Sequence, residues 1–263
     1  MKSPTALFAF QERFPDEEAC WQHLWRVRWP RGFRCPACGH RCSSWVQTRR
    51  LAQCRACRRQ TSLTAGTVLH GTRVPLRVWF LVLFFVGRPK QGISALQFQR
   101  DTGLGSYQTV WSLLHKVRSA LVEDPGLRLG GEVEVDEAYV GAREKGLHGG
   151  RGKGHKAIIA AAVERRGRRA GALRLEVVDN VSAAELGPFV ERSADPETAT
   201  IYSDAWQSYA HLPRRGFRHC PETQGPPARS LELLPWVHRV FGNLKTWLRG
   251  TYHGVSNNTS PVI

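Results

Sequence analysis

The sequence predicts an α/β domain preceded by a zinc ribbon and a helix-turn-helix. Three observations carry this: two C-x2-C pairs near the N-terminus, two helical patterns joined by a glycine break near residue 103, and strand patterns interrupted by one helix beyond residue 131. The chain has 263 residues and is 41% apolar, enough for one large domain or two to three small ones, so disorder describes it poorly. Its 38 Lys+Arg against 22 Asp+Glu give a formal net charge of +16, which calls for a polyanion such as nucleic acid or an anionic membrane surface. A spanning helix is not expected, because the longest apolar run, Val78 to Gly87, is about half the roughly 20 residues required. The first residues, MKSPTALFAFQERFPDEE, lack the apolar core and cleavage site of a signal peptide, so the expected location is the cytoplasm. There, seven cysteines read as metal ligands or free thiols before they read as disulfides.

Cys35/Cys38 and Cys54/Cys57 are separated by fifteen residues. Each C-x2-C turn presents two thiolates to one ion, and four soft ligands suit tetrahedral Zn2+. The intervening RCSSWVQTRRLAQ fits two short strands, giving a ribbon over roughly 33–70. The alternative is four buried thiols without metal. Cys42 lies between the pairs as a competing ligand, while Cys20 and Cys220 lack partner spacing and are expected in the core. Such a zinc is structural, holding together a segment too small to build its own core. Arg49, Arg50, Arg55, Arg58 and Arg59 surround it, either as phosphate contacts or as a solvated basic face.

After Pro75, LRVWFLVLFFVG is an apolar helix stopped by Gly87 and Pro89. A helix over roughly 93–101, the break Thr102-Gly103-Leu104-Gly105, and a second helix from about Ser106 to Leu121 make the helix-turn-helix, with Ser106 as N-cap. Val110, Leu113, Leu114, Val117 and Leu121 form the apolar stripe, which leaves Tyr107, Gln108, Ser112, His115, Lys116 and Arg118 for solvent or a DNA groove. A plain helical hairpin is the competing reading, and the basic charge with the ribbon upstream favours DNA.

Gly126 to Gly131 reads as a linker. Strands follow at 132–141, 156–166 and 172–180, then a helix in SAAELGPFVERS and a strand at 198–206. The loop REKGLHGGRGKGHK is basic and glycine-rich, suited to phosphates, with Arg151 and Lys153 as candidate DNA contacts; it has no G-K-[ST] and is not a Walker A loop.

Asp136 interrupts the strand VEVDEAY and Asp204 ends the strand IYSDAW. Acids inside strands are costly to desolvate and repel each other when they face, and a divalent cation removes both costs. Two-metal phosphoryl-transfer sites use such acids, whose hard oxygens suit Mg2+. Glu132, Glu134 and Glu137 are alternatives to Asp136. A last helix begins at Pro235 and is expected to stop at Gly250. His238 and Lys245 are two turns apart on one face of it, His238 as the third metal ligand candidate and Lys245 as a phosphate contact. Imidazole suits Mn2+ better than Mg2+.

The order of ribbon, helix-turn-helix, VDEAYVG, IYSDAW and a final helix with K-x4-GTYHGV resembles the bacterial insertion-sequence transposases of the DDE superfamily, in the group with a zinc ribbon and an RNase H-like catalytic domain. The resemblance runs from FPDEEACWQHLWRVRWPRGFRCPACG at 14–39 to GTYHGVS at 250–256. It implies an N-terminal helix and ribbon at 1–72, a helix-turn-helix at 73–125 and an RNase H-like catalytic domain at 131–263. The implied activity is a transposase that binds terminal inverted repeats, then hydrolyses and transfers phosphodiester bonds at Asp136, Asp204 and His238 with Mg2+ or Mn2+ and with Lys245 in support. The implied partners are terminal-repeat and target double-stranded DNA, no membrane, and a homodimer or larger assembly at the nucleoid. His238 stands where many relatives have Glu or Asn, and SNNTSPVI replaces their helical tail, which implies a truncated copy. The alternatives are a catalytically degenerate copy acting only as a sequence-specific DNA-binding protein or repressor, and a zinc-ribbon nuclease or resolvase unrelated to transposition.

Overall fold

A computed structural model describes residues 6–87, 90–121, 126–141, 156–222 and 233–252. Arg151, Lys153 and the SNNTSPVI tail lie outside them. The chain divides into two compact units, Met1–Pro89 with Ala95–Val122, and Lys90–Ser94 with Glu123–Ile263. No helix among the described residues is long and apolar enough to cross a membrane.

The first unit opens with α1 (Ala6–Arg13) and α2 (Glu17–Arg28). Asp16 starts α2 by accepting the Ala19 N–H at 2.8 Å, with Glu17 and Glu18 in the first turn and Arg26 and Arg28 in the last, as the helix dipole favours. The ribbon is an antiparallel sheet of β1 (Ser43–Val46), β2 (Leu51–Cys54) and β3 (Gln60–Ser62), and Arg50 closes the β1–β2 turn at φ 51°. Phe33, Ala52, Cys35 and Cys54 are its small core, packed against Trp25 and Trp29. Then α3 (Leu76–Val86) buries Leu76, Trp79, Phe80 and Val82. Its N-cap, Pro75, has no side-chain acceptor, and Glu17 of α2 takes that role by accepting the N–H groups of Leu76 and Arg77 at 2.7 and 3.0 Å. The two later helical patterns are α4 (Ala95–Thr102) and α5 (Tyr107–Ala120), joined through Gly103 at φ 69°, with Ser106 capping α5. Val110, Leu113, Leu114 and Val117 are buried as expected, but Leu121 is 60% exposed because the helix has already ended at Ala120.

The second unit is a five-stranded mixed sheet in the order β6-β5-β4-β7-β8. Its strands are β4 (Leu129–Val140), β5 (Ala157–Arg166), β6 (Arg169–Val178), β7 (Ala194–Asp204) and β8 (Arg218–Glu222). β4 pairs antiparallel with β5 and parallel with β7. Helix α6 (Ala183–Ser193) packs Leu186, Phe189 and Val190 on one face, over Val133, Val135, Ala160 and Ile201. Helix α7 (Pro235–Tyr252) packs Val237, Phe241 and Leu248 on the other, over Ala138, Val140, Ile159, Ala161 and Val163. The run AIIAAAV in β5 is thus covered on both sides, which explains why it does not alternate.

Four expectations are corrected. β4 begins inside the expected linker, at Leu129, because Gly131 at φ 67° absorbs a register shift in the β4–β7 pairing. β8 was not expected, since RHCPE has no apolar alternation. Cys220 is exposed on β8 rather than in a core, because this strand is at the sheet edge. Gly250 does not stop α7, which runs on to Tyr252; a Cβ at 250 would collide with the Gln91 carbonyl oxygen, so glycine there permits close approach of two backbones. Gly242, in the same helix, has open space around it. Urea unfolding is therefore expected to show Gly250→Ala destabilised by about 1–3 kcal/mol from overpacking. Gly242→Ala should gain up to about 1 kcal/mol, the ordinary helix preference for alanine.

Candidate active site

Cys35, Cys38, Cys54 and Cys57 bring all four Sγ atoms within 4.8 Å of one another, with Cys35 to Cys57 and Cys38 to Cys54 at 3.6 Å. Tetrahedral zinc at about 2.3 Å from each sulfur needs sulfurs about 3.8 Å apart, so the set fits. In each turn the backbone favours thiolate. The Cys38 N–H hydrogen-bonded to Cys35 draws that thiol down to about 6, and the Cys57 N–H does the same in direction for Cys54. Cys42 is exposed and outside the cluster, and Cys20 is fully buried with a thiol pushed up to about 11 by burial. Of the ribbon arginines, Arg49, Arg55, Arg58 and Arg59 are exposed, while Arg50 lies over the Trp21 ring at 5.1 Å.

The two strand acids share a face. Parallel β4 and β7 pair Glu134 with Tyr202, and Asp136 and Asp204 each lie two residues further on, where strand alternation returns the side chain to the α7 side. His238, in the first turns of α7, places Nε2 3.2 Å from Asp136 Oδ2. That hydrogen bond raises the imidazole pKa against the cost of desolvation, and the charges of Asp136, Glu134 and Asp204 add to it. Asp204 Oδ1 accepts the Trp206 N–H at 3.3 Å, which orients the carboxylate at the strand end. Lys245 is exposed on α7. Among the described residues only the cysteine set offers three or more ligand atoms close enough for a single ion; Asp136, Asp204 and His238 are neighbours that do not converge so tightly. Two carboxylates and an imidazole on one accessible face are a donor set that hard divalent ions accept.

Two residues give this face its frame. Glu134 has no exposure, and its Oε2 accepts the N–H groups of Trp236 and Val237, both at 2.8 Å, at the start of α7. Its Oε1 accepts from Arg165 Nε at 2.7 Å, while the same guanidinium donates to Leu233 O at 2.9 Å and lies 4.3 Å over the Tyr202 ring. Glu134 is therefore committed to anchoring the helix. Glu137 points to the opposite face, where the fully buried Tyr209 hydroxyl donates to it at 2.8 Å; burial, then Glu137, pushes that phenol well above its ordinary range and keeps it a donor. Glu132 is exposed. Neither Arg165 nor Tyr209 stood out in the sequence, where nothing but an arginine after an apolar strand marked the first.

On α5, Tyr107, Gln108 and Lys116 are exposed and Ser112 is half-buried. His115 stacks against Trp111 with centroids 3.9 Å apart, its Nε2 is buried, and burial lowers its pKa, so it is held as neutral imidazole.

Removing Glu134 would leave Arg165 and two helix N–H groups without their acceptor. Glu134→Ala is expected to lose about 3–5 kcal/mol in denaturant titration, whereas exposed Glu132→Ala stays close to the parent. Chelation, or Cys54→Ser, should release a single zinc ion and abolish amide protection in residues 43–62 while the second unit stays folded, as metal analysis and hydrogen exchange would show.

Residues 128–260 match the model of the ISXO2-like transposase domain, and residues 15–60 match that of the transposase zinc-ribbon domain. A curated relative, an uncharacterized protein in transposable element ISH50 of Halobacterium salinarum, is 33% identical over 136 residues, which cover 51% of this chain and 45% of that protein. Among solved structures, a chain of the simian T-cell lymphotropic virus intasome in complex with PP2A regulatory subunit B56 gamma is 16% identical. That alignment covers 66% of this chain and 57% of that one, with a TM-score of 0.31. With its domain model spanning half the sequence, the chain belongs to the ISXO2-like transposase family, and its α/β unit has the RNase H-like fold of that family.

Proposed function

We propose that this protein is a DNA transposase that cleaves and transfers phosphodiester bonds at the α7 face of its mixed sheet. The observation that carries the reading is that Asp136 and Asp204 each lie two residues beyond the paired Glu134 and Tyr202 of parallel β4 and β7, with His238 3.2 Å from Asp136. Asp136 and Asp204 would hold Mg2+ or Mn2+, with His238 as the third ligand. Such ions lower the pKa of an attacking water or 3′-hydroxyl and offset charge on the leaving oxygen. The chain's own part is to fix the carboxylates on rigid strands, hold α7 through Glu134, and offer Lys245 to the phosphates. DNA recognition belongs to residues 1–72 and 73–125, where Tyr107, Gln108, Ser112 and Lys116 of α5 are the base or phosphate contacts and the exposed ribbon arginines add backbone affinity. Arg151 and Lys153 would join them from the glycine-rich loop. Two element ends must be held together, so the working form is a homodimer or larger, acting on DNA in the cytoplasm.

A second reading is a copy that binds terminal repeats without cutting them. It is favoured by His238, which takes up one Asp136 oxygen and carries no negative charge to share with a metal.

A nicking assay with Mg2+ or Mn2+ on a duplex carrying the element's terminal repeat separates the two. The transposase reading expects cleavage that falls about a hundredfold or more in Asp136→Asn and in Asp204→Asn with DNA affinity retained. Salt-dependent binding with no metal-dependent cleavage would establish the binder instead, and cleavage that survives Asp136→Asn would refute the site.

A further inference from the structure

Between α2 and the ribbon sheet runs a groove of about 380 Å³ lined by Glu18, Trp21, Gln22, Trp25, Arg26, Trp45 and Leu63. Of its three indoles, Trp25 also packs on the ribbon's core with Trp29, whereas Trp21 and Trp45 lie outside that core. Trp45 remains 37% exposed, and it meets Trp25 edge-on at 85° with centroids 5.6 Å apart, forming an aromatic corner.

We propose that this groove binds one unpaired nucleotide of DNA, with the base stacked in the Trp25–Trp45 corner and the phosphates met by Arg26 and Arg50. The inference rests on the reading that the partner is DNA, and it adds a single-strand contact to it.

Four considerations favour a nucleotide over a protein side chain. Every base has a π-face, and aromatic platforms beside cations are the general means of holding unpaired strands. The cations are in place: Arg26 lines the groove, Arg50 lies 5.1 Å over the ring of Trp21, and Arg49 precedes it on an exposed turn. The polar groups suit a base edge. The Trp21 Nε1–H is buried and finds no acceptor among the described residues, and the Gln22 amide donates to Glu18 at 3.5 Å in the same groove. A base offers acceptors and donors to this set, whereas an aliphatic side chain would leave the indole N–H without an acceptor and desolvate the Glu18 carboxylate and Arg26 guanidinium. The volume, near the low end of the roughly 300–1,000 Å³ of small-molecule sites, suits one base with its sugar.

The test uses the full zinc-loaded chain and two fluorescein-labelled probes, a single-stranded oligothymidylate and a duplex of equal length, followed by anisotropy. Trp45→Ala is expected to weaken the single strand about tenfold while duplex affinity stays within about twofold, and Trp45→Phe to restore most of it. Arg26→Gln, at an exposed position that leaves the ribbon intact, should weaken the single strand severalfold. Zinc content is measured for each variant. Unchanged oligothymidylate affinity in both Trp45→Ala and Arg26→Gln overturns the proposal, as does equal loss on both probes. Sedimentation showing that Trp45→Ala splits a dimer would also overturn it, by making the groove a protein interface. Failure of the parent chain to bind either probe refutes the DNA reading itself, which keeps the two failures distinct.

Discussion

The Glu134 carboxylate is the interaction on which the candidate active face depends. A helix start exposes N–H groups with no partner inside the helix, and α7 begins at Pro235, which removes one such donor and supplies no side-chain acceptor for the next two. Glu134 reaches up from β4 and accepts both. Its negative charge is fully withdrawn from water, a costly state that becomes tolerable because Arg165 and the positive end of the helix dipole face it together. Since Glu134 is two residues before Asp136 and its helix partners are one and two residues before His238, the same anchor fixes the distance between acid and imidazole. The geometry of the site follows from the register of one strand against one helix end.

The first unit repeats the device. α3 starts after Pro75, also without a side-chain cap, and Glu17 of the preceding helix accepts its two leading N–H groups. In both units a carboxylate distant in sequence ties a proline-led helix to another element. Such a cap acts as a tertiary contact: it carries information about where the helix sits, which a local Ser or Asp cap such as Ser106 or Asp16 does not.

This also explains what the sequence could reveal. The cysteine ribbon was legible because metal ligation needs ligands at short fixed spacing, and α5 because its cap and stripe are local. Asp136 and Asp204 were legible as acids where strands should be apolar, and His238 from its place on the last helix. Glu134 was not separable from Asp136, because what distinguishes them is Arg165, 31 residues away across a sheet pairing. β8 was invisible because an edge strand holds its place by backbone pairing, so Arg218 to Glu222 need no apolar alternation. Gly250 was misread for the same kind of reason: glycine after a helix pattern usually marks its end, and only the neighbouring Gln91 backbone shows that it marks a close approach instead.

The cysteine set and the α7 face differ in the kind of ion that each would hold. The ribbon offers four sulfurs, no open position, and backbone N–H groups that favour thiolate at Cys35 and Cys54. A borderline-soft ion is held there with its coordination filled, so it can support folding and has no vacancy for a substrate. The α7 face offers carboxylate oxygens and one imidazole, spread apart on rigid strands and partly open to solvent, with Asp136 15% and His238 29% exposed. Oxygen donors at that spacing cannot enclose an ion, and whatever binds must complete its shell with water or with phosphate oxygens. Under the proposed function, that spread suits a metal whose shell is completed by phosphate oxygens better than one the acids would enclose alone. The soft, closed set and the harder, open one thus differ in the kind of ion each would take and in whether a coordination position would remain vacant.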